Sequence, residues 1–244
     1  GYKEAGKWTP AYDPKDFTND TDWIDAITRI APYQNYNVSA SSSDKGLNWY
    51  ASLAFTDTEG IVKDTGYQRV TGRFNFSKDF TSWLNVALKI STNYKRKDMS
   101  KAVFSGSGYS NGAIYLSPVI GEMDESNPFV DNGALINTPV ASIKYEDYYS
   151  TGWANTDVLE FTIKPFKGFT LKSQNSVRLA QDHTYHFWSN KLPRRRDEEG
   201  ADAYKYEKEG LLLSTENTAT YKTRIDKRHS IEAMAGFSAS TLKT

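Results

Sequence analysis

No cysteine occurs in the 244 residues. A disulfide scaffold and a cysteine-based zinc site are excluded by that alone, and a chain without cysteine crosses an oxidising compartment without mispairing. No sign of charge dominates, because 30 Lys and Arg stand against 30 Asp and Glu; a basic footprint for nucleic acid is lacking. No run of about 18 apolar residues exists, which excludes a transmembrane helix. The mean hydropathy is negative, but a membrane barrel tolerates that, since its strands alternate and only one face meets lipid. The chain opens Gly1-Tyr2-Lys3 without a leader. An exported protein carries one, so the expectation is that it has been removed or that the sequence is an internal piece of a longer chain.

Aromatics are plentiful: they make up 14% of the residues, with 16 Tyr, 12 Phe and 6 Trp. Disordered chains are poor in aromatics. Two all-β classes use many Tyr and Trp, sugar-binding modules and membrane barrels with interfacial girdles.

The segment Gly1 to Asn19 is polar and aperiodic and reads as loop. A short helix follows, with Asp20 or Thr21 as cap, Trp23, Ile24, Ile27 and Ile30 at helical spacing and Pro32 as stop. From Asn35 the period becomes two. Tyr36, Val38 and Ala40 share one face; Trp49, Ala51, Leu53 and Phe55 another; then Val70, Gly72, Phe74 and Phe76; then Leu84, Val86, Leu88 and Ile90. These predict four antiparallel strands in meander order. The stretch of about 97–150 breaks the pattern with several Gly and Pro and reads as a long functional loop. Alternation resumes with Leu159, Phe161 and Ile163 on one face and Asp157 at its start, continues from Phe169 to about Trp188, and returns near Leu211 to Tyr221 and near Ile231 to Phe237. The apolar faces read as continuous from strand to strand.

About eight strands result, and the links between them alternate short and long. Short links all fall at one end and long links at the other, which is the design of an outer-membrane barrel. A soluble β-sandwich that binds carbohydrate has the same alternation and stays in play. So does a complete small barrel of eight strands.

Three runs bear the resemblance to a known family. They are TDWIDAITRIAPYQNYNVSASSSDKGLNWYASLAFTDTEGIVKDTGYQRVTGRFNF (Thr21 to Phe76), FTSWLNVALKISTNY (Phe80 to Tyr94) and KPFKGFTLKSQNSV (Lys164 to Val177). Together they resemble the early barrel of SusC/RagA-type TonB-linked outer-membrane transporters, closely from Thr21 to about Asn93 and more loosely beyond. The resemblance implies residues 1–33 as an extracellular-loop segment with a short helix, and residues 34–244 as part of a much wider barrel. The location implied is the bacterial outer membrane, in contact with its lipid. The function implied is import of a large nutrient, glycan or peptide, under a SusD-like surface lipoprotein lid, with TonB acting only through a plug that this chain lacks. No catalysis and no cofactor are implied.

The candidate contacts to substrate are the aromatics in or beside the long loop: Tyr109, Tyr115, Phe129, Tyr145, Tyr148, Tyr149 and Trp153. They can stack on sugar rings or pack the loop on itself. Strand aromatics such as Trp49, Phe55, Phe74, Phe76 and Trp83 read as lipid-facing or girdle residues. His183 and His186 lie three apart, on opposite faces of a strand, so shared metal ligation is unfavourable; exposed strand-end histidines are the expectation. The run Arg194-Arg195-Arg196 is followed directly by Asp197-Glu198-Glu199 and reads as a solvated loop tip. The adjacent acids Asp124 and Glu125, or Glu198 and Glu199, lack the separation that glycoside hydrolysis needs. Deleting Ser105 to Asn137 from the full-length protein is expected to leave the barrel assembled and to weaken substrate or lid binding; unchanged uptake and unchanged lid association would show the loop to be dispensable.

Overall fold

The computed structural model describes residues 20–101, 112–114, 116, 118, 138–192, 200–226 and 229–244, and the backbone alone of 2–4, 7–9, 130–131 and 134–135. Two ribbons of short strands, β1 (Tyr2–Glu4) with β2 (Lys7–Thr9) and β7 (Val130–Asp131) with β8 (Ala134–Leu135), stand apart. The body is one antiparallel sheet of eight strands. They are β3 (Tyr33–Asp44), β4 (Leu47–Glu59), β5 (Gly66–Asp79), β6 (Leu84–Asp98), β9 (Glu146–Ile163), β10 (Phe169–Trp188), β11 (Asp202–Ile225) and β12 (His229–Lys243). Their order is that of the chain, and β3 and β12 form the two edges. The meander read from the sequence is therefore the architecture. A sandwich needs a second sheet packed on the first, and a small closed barrel needs β3 bonded to β12; the sheet has neither among the described residues.

The turns explain the order. At β3–β4, Lys45 and Gly46 both have positive φ (42° and 76°), the signature of a two-residue type I′ hairpin whose twist matches the strands. The Gly46 carbonyl accepts a bond from the Asp79 N–H at 2.8 Å, which ties this turn to the next. Four short turns, β3–β4, β5–β6, β9–β10 and β11–β12, lie at one end, and the long links lie at the other.

Register gives the sheet its slant. Leu47 pairs with Asp44 at the first short turn, Leu84 with Ile163, Phe169 with Tyr221, and Ile225 with His229. From β3 to β12 the short-turn end thus descends about eight residues over seven inter-strand steps, which at ~3.4 Å per residue and ~4.8 Å per step is a tilt of about 39°. That falls in the 35–45° range of transmembrane barrels. With the short turns placed in one plane, most apolar residues of the face of Leu88 and Leu159 occupy a band from roughly 5 Å to roughly 30 Å above it, close to the ~25 Å lipid band of such barrels, with Tyr149 and Phe187 higher.

The two faces are sorted by register. Tyr36, Leu53, Phe74, Leu88, Leu159, Val177, Leu213 and Phe237 lie on one face. Burial is inverted relative to a soluble protein. The buried strand residues Ala87, Gly152 and His186 all belong to the polar face, whereas Val38 is 67% exposed and Phe237 66% on the apolar one. The apolar face is not continuous, as the sequence reading had it. On β9, β10 and β11 it holds Asn155, Asp157, Ser173, Asn175, Thr215 and Asn217, with apolar residues above and below. These polar groups bond to one another: Asn155 donates to Asp157 (2.7 Å), Asn175 to Ser173 (3.3 Å), Thr215 to Asn175 (2.9 Å) and Asn217 to Thr215 (3.0 Å).

Two short helices cap the long-loop end. In α1 (Trp23–Ile27), Asp22 is the N-cap, in place of the expected Asp20 or Thr21, and its carboxylate accepts from the Ile24 and Asp25 N–H groups at 3.0 Å. The helix ends before Ile30, which is 96% exposed, because Thr28 turns extended to bridge Val62. The second helix, α2 (Pro139–Tyr145), went unread in the sequence; Thr138 caps it and Pro139 opens it. Trp23 and Ile27 pack with Ala113 and Leu116, against Val62, Val140 and Ile143, in a small core that joins three loops.

The β9–β10 turn gives a stability test. Gly168 has φ +85°, and a Cβ there meets the Lys222 carbonyl oxygen at 2.3 Å. Gly200 has φ +71° with open space around it. Gly168→Ala is expected to cost roughly 2–3 kcal/mol and Gly200→Ala about 1 kcal/mol or less, read as urea midpoints of the full-length barrel; equal midpoints would refute the close approach of this turn to β11.

Candidate functional site

The polar face and the long-loop rim hold the groups able to act on a solute. Across the face, Glu160 on β9 is flanked by Lys89 (3.2 Å) and Lys172 (3.0 Å) from the neighbouring strands. Cross-strand partners directly opposite or diagonal are within reach, so one carboxylate balances one of two ammonium groups. Eight residues further along β9, at Gly152, Lys95 and Asp182 meet at 2.9 Å over the strand. They meet because residue 152 is glycine: a Cβ there lies 2.2 Å from Lys95 Cε and 2.5 Å from Asp182 Oδ1.

The candidate aromatics separate. Tyr109, Tyr115 and Phe129 lie outside the described residues, as do Asp124, Glu125 and the run Arg194 to Glu199. Tyr145 ends α2, with Lys144 Nζ 4.9 Å and Lys191 Nζ 5.9 Å from its ring centre. Tyr148 stacks on His186 at 4.3 Å, and Lys101 Nζ stands 5.9 Å over it. Tyr149 faces the other way, beside Tyr185 (5.3 Å) and under the Arg96 guanidinium (4.4 Å). Trp153 shares that opposite face, in register with Tyr94 and Gln181. Tyr145 and Tyr148 thus cluster at the rim, and Trp153 does not join them.

The histidines correct one expectation and meet another. His183 contacts Glu207 (3.2 Å) on the apolar side and His186 contacts Glu146 (2.9 Å) on the polar side, so they share no ligand. His186 is not an exposed strand-end residue, however; it is 3% exposed, sandwiched between Tyr148 and Trp188, whose ring centre is 3.7 Å away. The grouping of Glu146 with His186 and Trp188 escaped sequence reasoning because β9 starts at Glu146, within the stretch read as loop. Tyr204 and Tyr206, half-exposed on the polar face of β11, escaped it too; their alternation with Lys205 and Glu207 was the available signal. Among the described residues no group of three His, Asp or Glu is placed to hold a metal ion.

At the β4–β5 end of the rim, Arg29 pairs with Glu59 (2.9 Å) and donates to the Thr65 carbonyl (3.2 Å), and Arg96 pairs with Asp98 (2.8 Å). Asp64 sits in this loop with φ +60°. Burial, then the carboxylates of Asp98 and Asp147, push its carboxyl above the ordinary aspartate value, and Arg29 and Arg96 only partly offset this.

The comparisons follow this geometry. The fold defines a class, an antiparallel meander forming part of a larger transmembrane-type barrel. No family model matches the chain. TonB-dependent receptor P26 of Formosa agariphila is 24% identical over 238 residues, 95% of this chain and 23% of that receptor. TonB-dependent receptor P39 of the same organism is 21% identical over 88% of this chain and 20% of its own length. The TonB-dependent receptor SusC of Bacteroides thetaiotaomicron is 28% identical over 116 residues, 48% of this chain and 11% of SusC. Among solved structures, the RagAB peptide transporter matches with a TM-score of 0.74 and the RagAB importer in its closed-closed state with 0.76. Each is 23% identical over 93% of this chain and 27% of that chain. These matches bear out the resemblance to SusC/RagA-type TonB-dependent receptors. The chain spans at most about a quarter of the length of the proteins it matches.

Asp64 gives a pH test. A carboxyl raised in the folded protein stabilises the fold fully below its ordinary value of 3.8, and that contribution is lost as pH rises through the raised folded value. Asp64→Asn, which keeps the left-handed backbone, is expected to slow amide hydrogen exchange over residues 60–66 at pH 7 by a few tenths to about 1 kcal/mol, and to leave it unchanged below pH 3.8. Equal protection at both pH values would remove the electrostatic account.

Proposed function

We propose that this chain is a section of the barrel wall of an outer-membrane TonB-dependent transporter that imports a large nutrient, glycan or peptide, in concert with a SusD-like surface lipoprotein. The observation that carries the reading is the inverted burial: the apolar face stands uncovered while the polar face holds the buried strand residues and the Glu160 and Lys95–Asp182 ion pairs. An uncovered apolar face of this size calls for a non-aqueous neighbour, and only a closed, fully paired β-structure or a helix survives in lipid. The ~39° tilt and the short and long turn ends support the same reading. The polar face, with Glu160, Lys89, Lys172, Lys95 and Asp182, then lines the lumen, and the rim aromatics Tyr145 and Tyr148 face the incoming solute. Trp153 takes the place of a girdle residue at the outer edge of the lipid band. Nothing in this arrangement calls for bond-making chemistry; import is driven through TonB acting on a plug.

Leu88 and Lys89 test the reading, since they are adjacent and face opposite sides. Leu88→Arg in the full-length protein is expected to cost ~2–4 kcal/mol at the lipid face and to deplete the heat-modifiable, outer-membrane form. Lys89→Gln leaves it intact. If both variants assemble alike, or if the wild-type protein stays monodisperse without detergent, the membrane-wall reading fails.

A further inference from the structure

The polar face carries more positive charge than its carboxylates balance. Along β5, β6 and β10 it presents Arg69, Arg73, Lys89, Lys95, Lys172 and Arg178. Between the strand ends, Glu160 and Asp182 face them. Glu160 is shared by Lys89 and Lys172, and Asp182 meets Lys95. The remaining carboxylates of this face on β5, β6, β9 and β10 are engaged at its margins. Asp79, by a short turn, accepts from the Asn85 amide (2.8 Å), and Glu146, at the rim, contacts His186 (2.9 Å). Arg69, Arg73 and Arg178 are exposed, and among the described residues no carboxylate pairs with them.

Register arranges these cations around a trough. Arg73 and Arg178 stand in one row across the sheet, with Ser91 and Thr156 between them. Three inter-strand steps of ~4.8 Å set their Cα atoms about 14 Å apart. In the next row towards the rim, Ala154 lies between Asn93 and Ala180. Two long cationic side chains thus border a floor of small ones. In the row below, Lys89 is in register with Asn75 and with Tyr50, which is 38% exposed.

We propose that this trough binds an acidic oligosaccharide, with carboxylate or sulfate groups held by Arg73 and Arg178 and sugar rings lying on the small-residue floor. The inference rests on the membrane-wall reading above, which makes this face the lining of the lumen. Cations without counter-charges on the wall of a water-filled passage favour anions, and low-dielectric walls focus their field. A guanidinium presents a rigid fork of donors that matches an oxyanion. The rest of the lining is hydroxyl and amide, as at Ser91, Thr156, Asn75 and Asn93, which complements a hydroxylated chain. An acidic peptide fits less well. Extended peptides are captured by adding a strand to a free sheet edge, and β5, β6, β9 and β10 are each paired on both sides.

Calorimetry on the detergent-purified full-length receptor tests this, with probes of matched length: oligogalacturonate, a sulfated malto-oligosaccharide, the unmodified malto-oligosaccharide and oligoglutamate. At least one acidic sugar is expected to bind about tenfold tighter than the neutral one, and to lose that advantage as salt rises. Which acidic sugar binds separates carboxylate from sulfate. Arg73→Gln with Arg178→Gln is expected to abolish the preference while heat-modifiable assembly stays normal; should that variant fail to assemble, the wild-type preference and its salt dependence remain the test. The proposal is overturned, and the membrane-wall reading spared, if neither acidic sugar exceeds the neutral one, if oligoglutamate binds as tightly as either, or if the assembled double variant keeps the preference. A wild-type receptor that never assembles in the outer membrane overturns both.

Discussion

Through the paired registers from β3 to β12 the backbone N–H and C=O groups are answered sideways, strand to strand, and this ladder is what the remaining structure depends on. A single sheet has no core behind it. Its apolar side chains cannot be hidden against one another, so the face that carries them must be served by the medium. The ladder makes that possible, because where strands pair on both sides it leaves no backbone group for an apolar medium to reject. The side chains then need only sort by parity. Parity puts Glu160 between Lys89 and Lys172 on one side and Leu88 beside Leu159 on the other. It also explains why the conventional core seen among the described residues, around Trp23 and Ile27, lies among the loops: there the chain leaves the ladder and has to bury something.

How much was legible in the sequence follows from the same parity. From β3 to β6 each strand has one apolar and one polar face, so period two is written plainly in Trp49 to Phe55 or Leu84 to Ile90, and the turns carry their usual residues. In the upper parts of β9 and β11 both faces are polar or aromatic. Asp202 to Glu209 alternates Tyr with charge, which a hydrophobic pattern does not register, and β9 was read from Asp157 although it begins at Glu146. That late start hid the rim site. Once Tyr148 and Trp153 are known to share a strand, five residues apart, parity sets them on opposite faces of the sheet. The seven residues of α2 fell below what periodicity detects; only Thr138-Pro139 marked it. The polar cluster on the apolar face was in view as Asn175 or Asn217, but its unity requires register across three strands, which no single strand spells out.

Strand length has a further consequence. The strands lengthen steadily, from 12 residues in β3 through 15 in β6 to 18, 20 and 24 in β9, β10 and β11. At the derived tilt this is a wall rising from about 30 Å at β3 to about 60 Å at β11. The lower figure is a bilayer's hydrocarbon thickness; the upper is twice it. From β3 to β11 the long-loop edge of the sheet is therefore cut on the bias, like a quill. Were these strands part of the transporter wall proposed above, the rim would stand low on one flank and high on the other.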